Sequence, residues 1–150
     1  MSWSARLTEL GLVLPPVATP AGAYVPAVRS GSLVFTAGQL PLVGGAVAAT
    51  GKLGAEIDTA LGQQLARTCV LNALAAVDNL VGLDAVVRVV KVVGFVASAP
   101  GFAAQPAVLN GASELLSTIF GEAGAHARSA VGVAELPLAA PVELELIVAI

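Results

Sequence analysis

The sequence predicts a single α+β domain, a mixed β-sheet with two helices packed on one of its faces. Three observations carry that expectation. Val142 to Ile150 alternates strictly: Val142, Leu144, Leu146, Val148 and Ile150 fall on one face, and Glu143, Glu145, Ile147 and Ala149 on the other. Ala85 to Ala97 is apolar on both faces, as a central strand covered twice would be. Two stretches, Ile57 to Val81 and Gln105 to Phe120, repeat their apolar residues at helical spacing. With the shorter strands, the order reads β-β-(β)-α-β-α-β-β. A chain of 150 residues suffices for one domain with a real core and not for two.

Residues 2 to 11 carry a short helical pattern in Leu7, Leu10 and Leu12. Ser4 is its expected cap and Leu14-Pro15-Pro16 its stop. Val17 to Gly22 is a Pro/Gly/Ala linker. Tyr24 to Arg29 and Leu33 to Gln39 read as two strands around Ser30-Gly31-Ser32, with Gly31 free to take positive φ. Ala46 to Ala49, after Gly44-Gly45, reads as a short third strand. Asp58 is placed to cap the first long helix, and Gly82 to end it. Its expected stripe is Leu61, Leu65, Cys69, Leu74, Val77 and Val81, with Val70 and Leu80 at the edges. Pro106 suits the first turn of the second helix, whose stripe is Val108, Ala112, Leu115 and Ile119, and Gly121 ends it. Ser129 to Val133 is a short strand ended by Leu136-Pro137. A hairpin-like pairing of that strand with Val142 to Ile150 would bring Arg128 and Glu143 to one end of the sheet.

Composition excludes several classes. Apolar residues make up 57% and the mean hydropathy is +0.88, so a membrane reading has to be tested. Val92 to Ser113, as long an uncharged run as the chain holds, is broken by Gly94, Pro100, Gly101, Pro106 and Gly111 and is no spanning helix. Met1 to Arg6 lacks the apolar core of a signal peptide, so a cytoplasmic location is expected. The apolar excess is expected to be buried by further copies of the chain. A net charge of −3 and scattered basic residues argue against nucleic acid as a partner. With one cysteine and one histidine, neither a disulfide nor a zinc site is expected, and no metal or cofactor is called for. Cys69 reads as a small buried hydrophobe, and His126 as a turn residue with no partner in view.

Arg128 and Glu143 are the residues with chemistry to offer. A guanidinium fork holds a carboxylate through two parallel hydrogen bonds. A glutamate beside it can move protons to and from water. The same two residues also suit a solvated sheet edge, the usual fate of charged side chains.

Three spaced motifs resemble one family. Ala127-Arg128-Ser129, Val131, Val133 and Leu136-Pro137 followed by Val142-Glu143-Leu144-Glu145 resemble the C-terminal signature of the RidA/YjgF reactive-intermediate (enamine/imine) deaminases. Ala23 to Val28 with Leu33 to Pro41 is similar to the family's N-terminal hairpin, and Phe102 with Asn110 to Phe120 to its second helix. The resemblance covers about residues 20 to 150 and leaves a lead-in, 1 to 20, outside it. It implies a chorismate-mutase-like fold and a homotrimer whose three sheets enclose a central barrel, with clefts between subunits. It implies hydrolysis of 2-aminoacrylate-like imines to 2-keto acids and ammonia. On this resemblance Arg128 grips the substrate carboxylate and Glu143 is the acid/base. Tyr24 and Asn110 close the pocket, and backbone near Gly38 and Ala130 holds substrate and water. Two positions depart from the family's usual pattern: Ala130 stands for a cysteine and Ala37 for a serine. These losses are compatible with an alternative, a non-catalytic trimer that binds small carboxylates as a sensor. A third reading, endoribonuclease, meets the acidic charge balance and lacks a basic or aromatic patch.

Overall fold

The computed structural model describes residues 1–150. Seven strands and three helices follow in the order α1 (Trp3–Glu9), β1 (Ala27–Ser30), β2 (Leu33–Thr36), β3 (Leu42–Val43), β4 (Ala46–Val47), α2 (Thr59–Val81), β5 (Arg88–Ala97), α3 (Gln105–Phe120), β6 (Ala127–Val133) and β7 (Val142–Ala149). Five strands form one mixed sheet in the order β1-β2-β7-β5-β6, and β3 and β4 form a separate two-stranded ribbon. The α+β expectation holds.

Local chemistry sets the helix bounds. Asp58 caps α2 by accepting from Leu61 N at 2.8 Å, and Gly82 follows it at φ 81°. The expected cap of α1 is corrected: Ser2 accepts from Ala5 N, while Ser4 N and Oγ both donate to Asp84 Oδ1. Trp3 fastens this lead-in, donating to Val86 O at 2.7 Å and meeting the Phe120 ring edge-on at 5.0 Å. Within α2 the stripe is shifted from expectation. Leu65, Cys69, Val70, Leu74 and Val77 are buried, but Leu61 and Leu80 are exposed and Ala66, Ala73 and Ala76 lie inside. Alanines fit because the two helices run close together. A Cβ at Gly111 of α3 would collide with the Gln63 carbonyl of α2, and one at Gly62 would stand 2.8 Å from Leu53 and 3.2 Å from Val108.

Both helices cover one face of the sheet. Val142, Leu144, Leu146 and Val148 of β7 are fully buried beneath them, with Val92 and Val96 of β5 beside them. Gly94 sits opposite Leu109, which occupies the space a side chain there would need. The other face is open within the chain. It carries Phe35, Val93, Phe95, Val131 and Ile147, together with Glu143 and Glu145, none of them buried.

The expected β6–β7 hairpin does not form. β6 runs parallel to β5 through the crossover helix α3, and β7 lies on the other side of β5, antiparallel to it. A β-α-β unit places its second strand beside its first, so β6 is already committed to β5. The connection from β6 therefore passes the end of β5, turning at Pro137–Ala139.

Candidate functional site

Glu143 stands on the open face at the start of β7, level with Phe95. The chain beyond β2 is clipped to β7 by Gln39 N donating to Leu144 O at 2.7 Å and Leu144 N donating to Gln39 O at 3.1 Å. That clip lays Gly38 directly under the Glu143 carboxyl, where any Cβ would fall on Oε1. Gly38 is thus required by close approach rather than by an unusual φ. Tyr24, Val25, Val28, Phe35, Thr36 and Ala37 complete a groove of about 560 Å³ around Gly38 and Glu143. Its walls are mainly apolar. Burial pushes the Glu143 carboxyl above the ordinary carboxylate range, and the neighbouring charge of Glu145 adds to the effect. The Glu143 carboxyl makes no hydrogen bond or ion pair inside the chain. It stands half-buried and unpartnered. Tyr24 sits exposed on the rim, its hydroxyl accepting from Ala21 N at 3.2 Å.

Arg128 stands elsewhere. It opens β6 level with Val92 and faces α3, on the helix side of the sheet. Its Nη1 donates to Asn110 Oδ1 at 2.9 Å and to Ser113 Oγ at 3.1 Å. No carboxylate pairs with it, since the chain's ion pairs are Arg6–Glu9 and Lys52–Glu135. Ala130 follows two positions on, level with Gly94 and on the same face as Arg128. The six residues singled out from the sequence therefore fall into two groups. Tyr24, Gly38 and Glu143 belong to the open-face groove; Arg128, Asn110 and Ala130 belong to the β6 edge. One chain does not bring the groups together, which corrects the expected meeting of Arg128 and Glu143.

Ser113 escaped the sequence reading, and the reading of His126 as a partnerless turn residue is corrected here. Ser113 Oγ lies 2.9 Å from His126 Nε2, and His126 Nδ1 lies 2.6 Å from Gly124 O. The Asn110/Ser113 spacing of three on a helix was the available signal, since it sets both side chains on one face. His126 does have a partner.

The sheet, its helix layer and the two half-sites define a small α+β protein that presents a carboxyl and a guanidinium on separate surfaces. The model of the Endoribonuclease L-PSP family matches residues 16–150, and the chain belongs to that family, which comprises the RidA/YjgF proteins. It is 47% identical over 149 residues to protein TCP17 of Trypanosoma cruzi, covering 97% of this chain and 92% of that one. A putative endoribonuclease from Shewanella oneidensis shares 32% identity and a TM-score of 0.96 over 100% of both chains. E. coli TdcF, solved with bound serine, shares 28% identity and a TM-score of 0.66 over 89% of this chain and 93% of that one.

Proposed function

We propose that the protein hydrolyses reactive imines and enamines of the 2-aminoacrylate type, releasing a 2-keto acid and ammonia. The observation that carries the reading is Glu143: a half-buried, unpartnered carboxyl, held towards its protonated form over Gly38 in an apolar groove. A carboxyl raised in this way, with no partner of its own, suits proton transfer to and from water. The enamine first takes a proton from solvent at its terminal carbon, giving the iminium. Water then adds to the iminium carbon as the Glu143 carboxylate takes the water proton, giving the carbinolamine. The same carboxyl passes that proton to the nitrogen; the C–N bond then breaks, ammonia leaves, and the carboxylate takes the hydroxyl proton as the carbonyl forms and releases it to solvent.

Such substrates carry a carboxylate, and Arg128 offers a cation with no carboxylate partner in the chain to hold it. The two half-sites lie on different surfaces, so the Arg128 is that of another copy. The apolar open face suits burial between copies, and the assembly we infer is the homotrimer with its sites between subunits. TdcF, with its bound serine, supports a small ligand bearing an amino-acid carboxylate. A second reading, a carboxylate-binding trimer without turnover, draws on Ala37 and Ala130, which stand where many relatives have a serine and a cysteine. The name endoribonuclease travels with the family, but a net charge of −3 gives little to neutralise an RNA backbone.

The test is incubation of purified protein with enzymatically generated 2-aminoacrylate, timing keto-acid release against the spontaneous rate. Acceleration is expected. Binding of 2-ketobutyrate with no acceleration would leave the sensor reading in its place.

A further inference from the structure

We propose that Ser113 and His126 are positioning residues that set the guanidinium of Arg128 for carboxylate binding. The inference rests on the carboxylate-anchor reading of Arg128 and extends it to two residues with no part in the reaction itself.

With a neutral His126 ring the hydrogen bonds run in one consistent direction. Gly124 O can only accept, so the His126 Nδ1 bonded to it at 2.6 Å carries a proton. In the neutral ring Nε2 then has a lone pair, and it accepts the Ser113 hydroxyl proton across 2.9 Å. With its proton committed, Ser113 Oγ turns lone pairs towards Arg128 and accepts from Nη1 at 3.1 Å. Asn110 Oδ1 accepts from the same Nη1 at 2.9 Å. A backbone carbonyl, a histidine tautomer and a hydroxyl rotor thus fix one another in series. Nothing in the series competes for the same proton.

The consequence for Arg128 is specific. Both protons of Nη1 have acceptors, whereas Nε and Nη2 have none in the chain. Nε and Nη2 form one edge of the planar fork, the edge that takes a carboxylate with two parallel bonds. Pinning Nη1 from two sides fixes the plane of the fork and leaves that edge open. A guanidinium fixed before the ligand arrives loses less side-chain freedom on binding. The Ser113–His126 pair also has the spacing of a nucleophile and its base, but Ser113 Oγ is engaged by a cation, which suits holding Arg128 rather than attack.

The test uses the full chain in its assembled form, with 2-ketobutyrate as the calorimetric probe and 2-oxobutanamide as an uncharged control. Ser113→Ala is expected to weaken 2-ketobutyrate binding about 5- to 20-fold, while the amide binds as in the wild type. In turnover of 2-aminoacrylate, KM should rise by a similar factor and kcat fall much less. Ser113→Thr, which keeps the hydroxyl, should recover most of the affinity. His126→Ala should shift affinity in the same direction by a smaller factor. Wild-type affinity in Ser113→Ala alongside lost affinity in Arg128→Ala would overturn the positioning role and leave the anchor intact. Equal loss for acid and amide, with no rescue by threonine, would make Ser113 merely structural and overturn the role as well. Unaltered binding in Arg128→Ala would remove the anchor and this inference together.

Discussion

Arg128 and Glu143 are held on opposite faces of the same sheet, on the two strands that flank β5. Arg128 pairs at Val92 and Glu143 at Phe95, an odd separation along one strand. Two strand spacings and three residues of rise put their Cα atoms roughly 14 Å apart, and the buried sheet lies between their side chains. No rotamer change joins them. On the proposed reading, chemistry that uses both takes one from each of two chains.

The first prediction concerns the anchor. Arg128→Ala should weaken 2-ketobutyrate binding by about 2–4 kcal/mol, roughly 30- to 1000-fold. Arg128→Lys should restore only part, because an ammonium is a point charge without the planar fork. Melting temperature should change little, since Arg128 opens an edge strand and has only neutral hydrogen-bond partners. Calorimetric titration beside melting curves checks both halves. Equal affinity in wild type and Arg128→Ala would reduce Arg128 to a strand-end residue.

The second concerns close approach. Gly38→Ala places a methyl group where Glu143 Oε1 lies. The obstructing atom is the far end of a flexible side chain, so the carboxyl swings aside and the backbone stays. Turnover should fall at least 10-fold, while the melting temperature drops by only a few degrees. A variant that turned over 2-aminoacrylate at the wild-type rate would separate Glu143 position from catalysis.

The third concerns pH. The folded-state pKa of Glu143 lies above its unfolded value because of burial, then Glu145. A raised carboxyl contributes stability below the unfolded pKa, and that contribution is lost as pH rises through the folded one. Above the folded-state pKa the ionised, partly desolvated carboxylate is therefore a liability. Glu143→Gln should melt higher than the wild type at pH 7 to 8, and the difference should shrink as pH falls below the carboxylate range. It should bind 2-ketobutyrate and turn over 2-aminoacrylate far more slowly. A melting difference that grew on acidification would reverse the sign and exclude desolvation as the cause.

Much of this molecule was legible before any coordinates. The alternation of Val142 to Ile150, the bounds of α3 and the Asp58 cap all rest on local rules: a period of two, a period of 3.6, and a carboxylate for an orphan N–H. What failed was non-local. Neighbouring strands in sequence suggested a hairpin, but the β5-α3-β6 crossover had already assigned β6 to β5. Leu61 belongs to the expected stripe of α2 and Leu80 to its edge, yet both are exposed, because the close contacts at Gly62 and Gly111 turn the helix to bring alanines inward. His126 was read as a turn residue because its partner, Ser113, is thirteen residues away, across a loop. The motif residues were legible as a set, but their division into two half-sites was not. The face of a side chain depends on register, and register depends on pairing.

The central claim, a site completed by two chains, is tested most directly by mixing two inactive variants. Arg128→Ala retains Glu143, and Glu143→Gln retains Arg128. Equal amounts are unfolded together, refolded, and assayed for 2-aminoacrylate hydrolysis beside each variant refolded alone. In randomly mixed cyclic trimers about one quarter of the sites receive an intact Arg128 from one chain and an intact Glu143 from the next. The account predicts recovery of about a quarter of the wild-type rate, with each variant alone near the spontaneous rate. A mixture no more active than its components would contradict it.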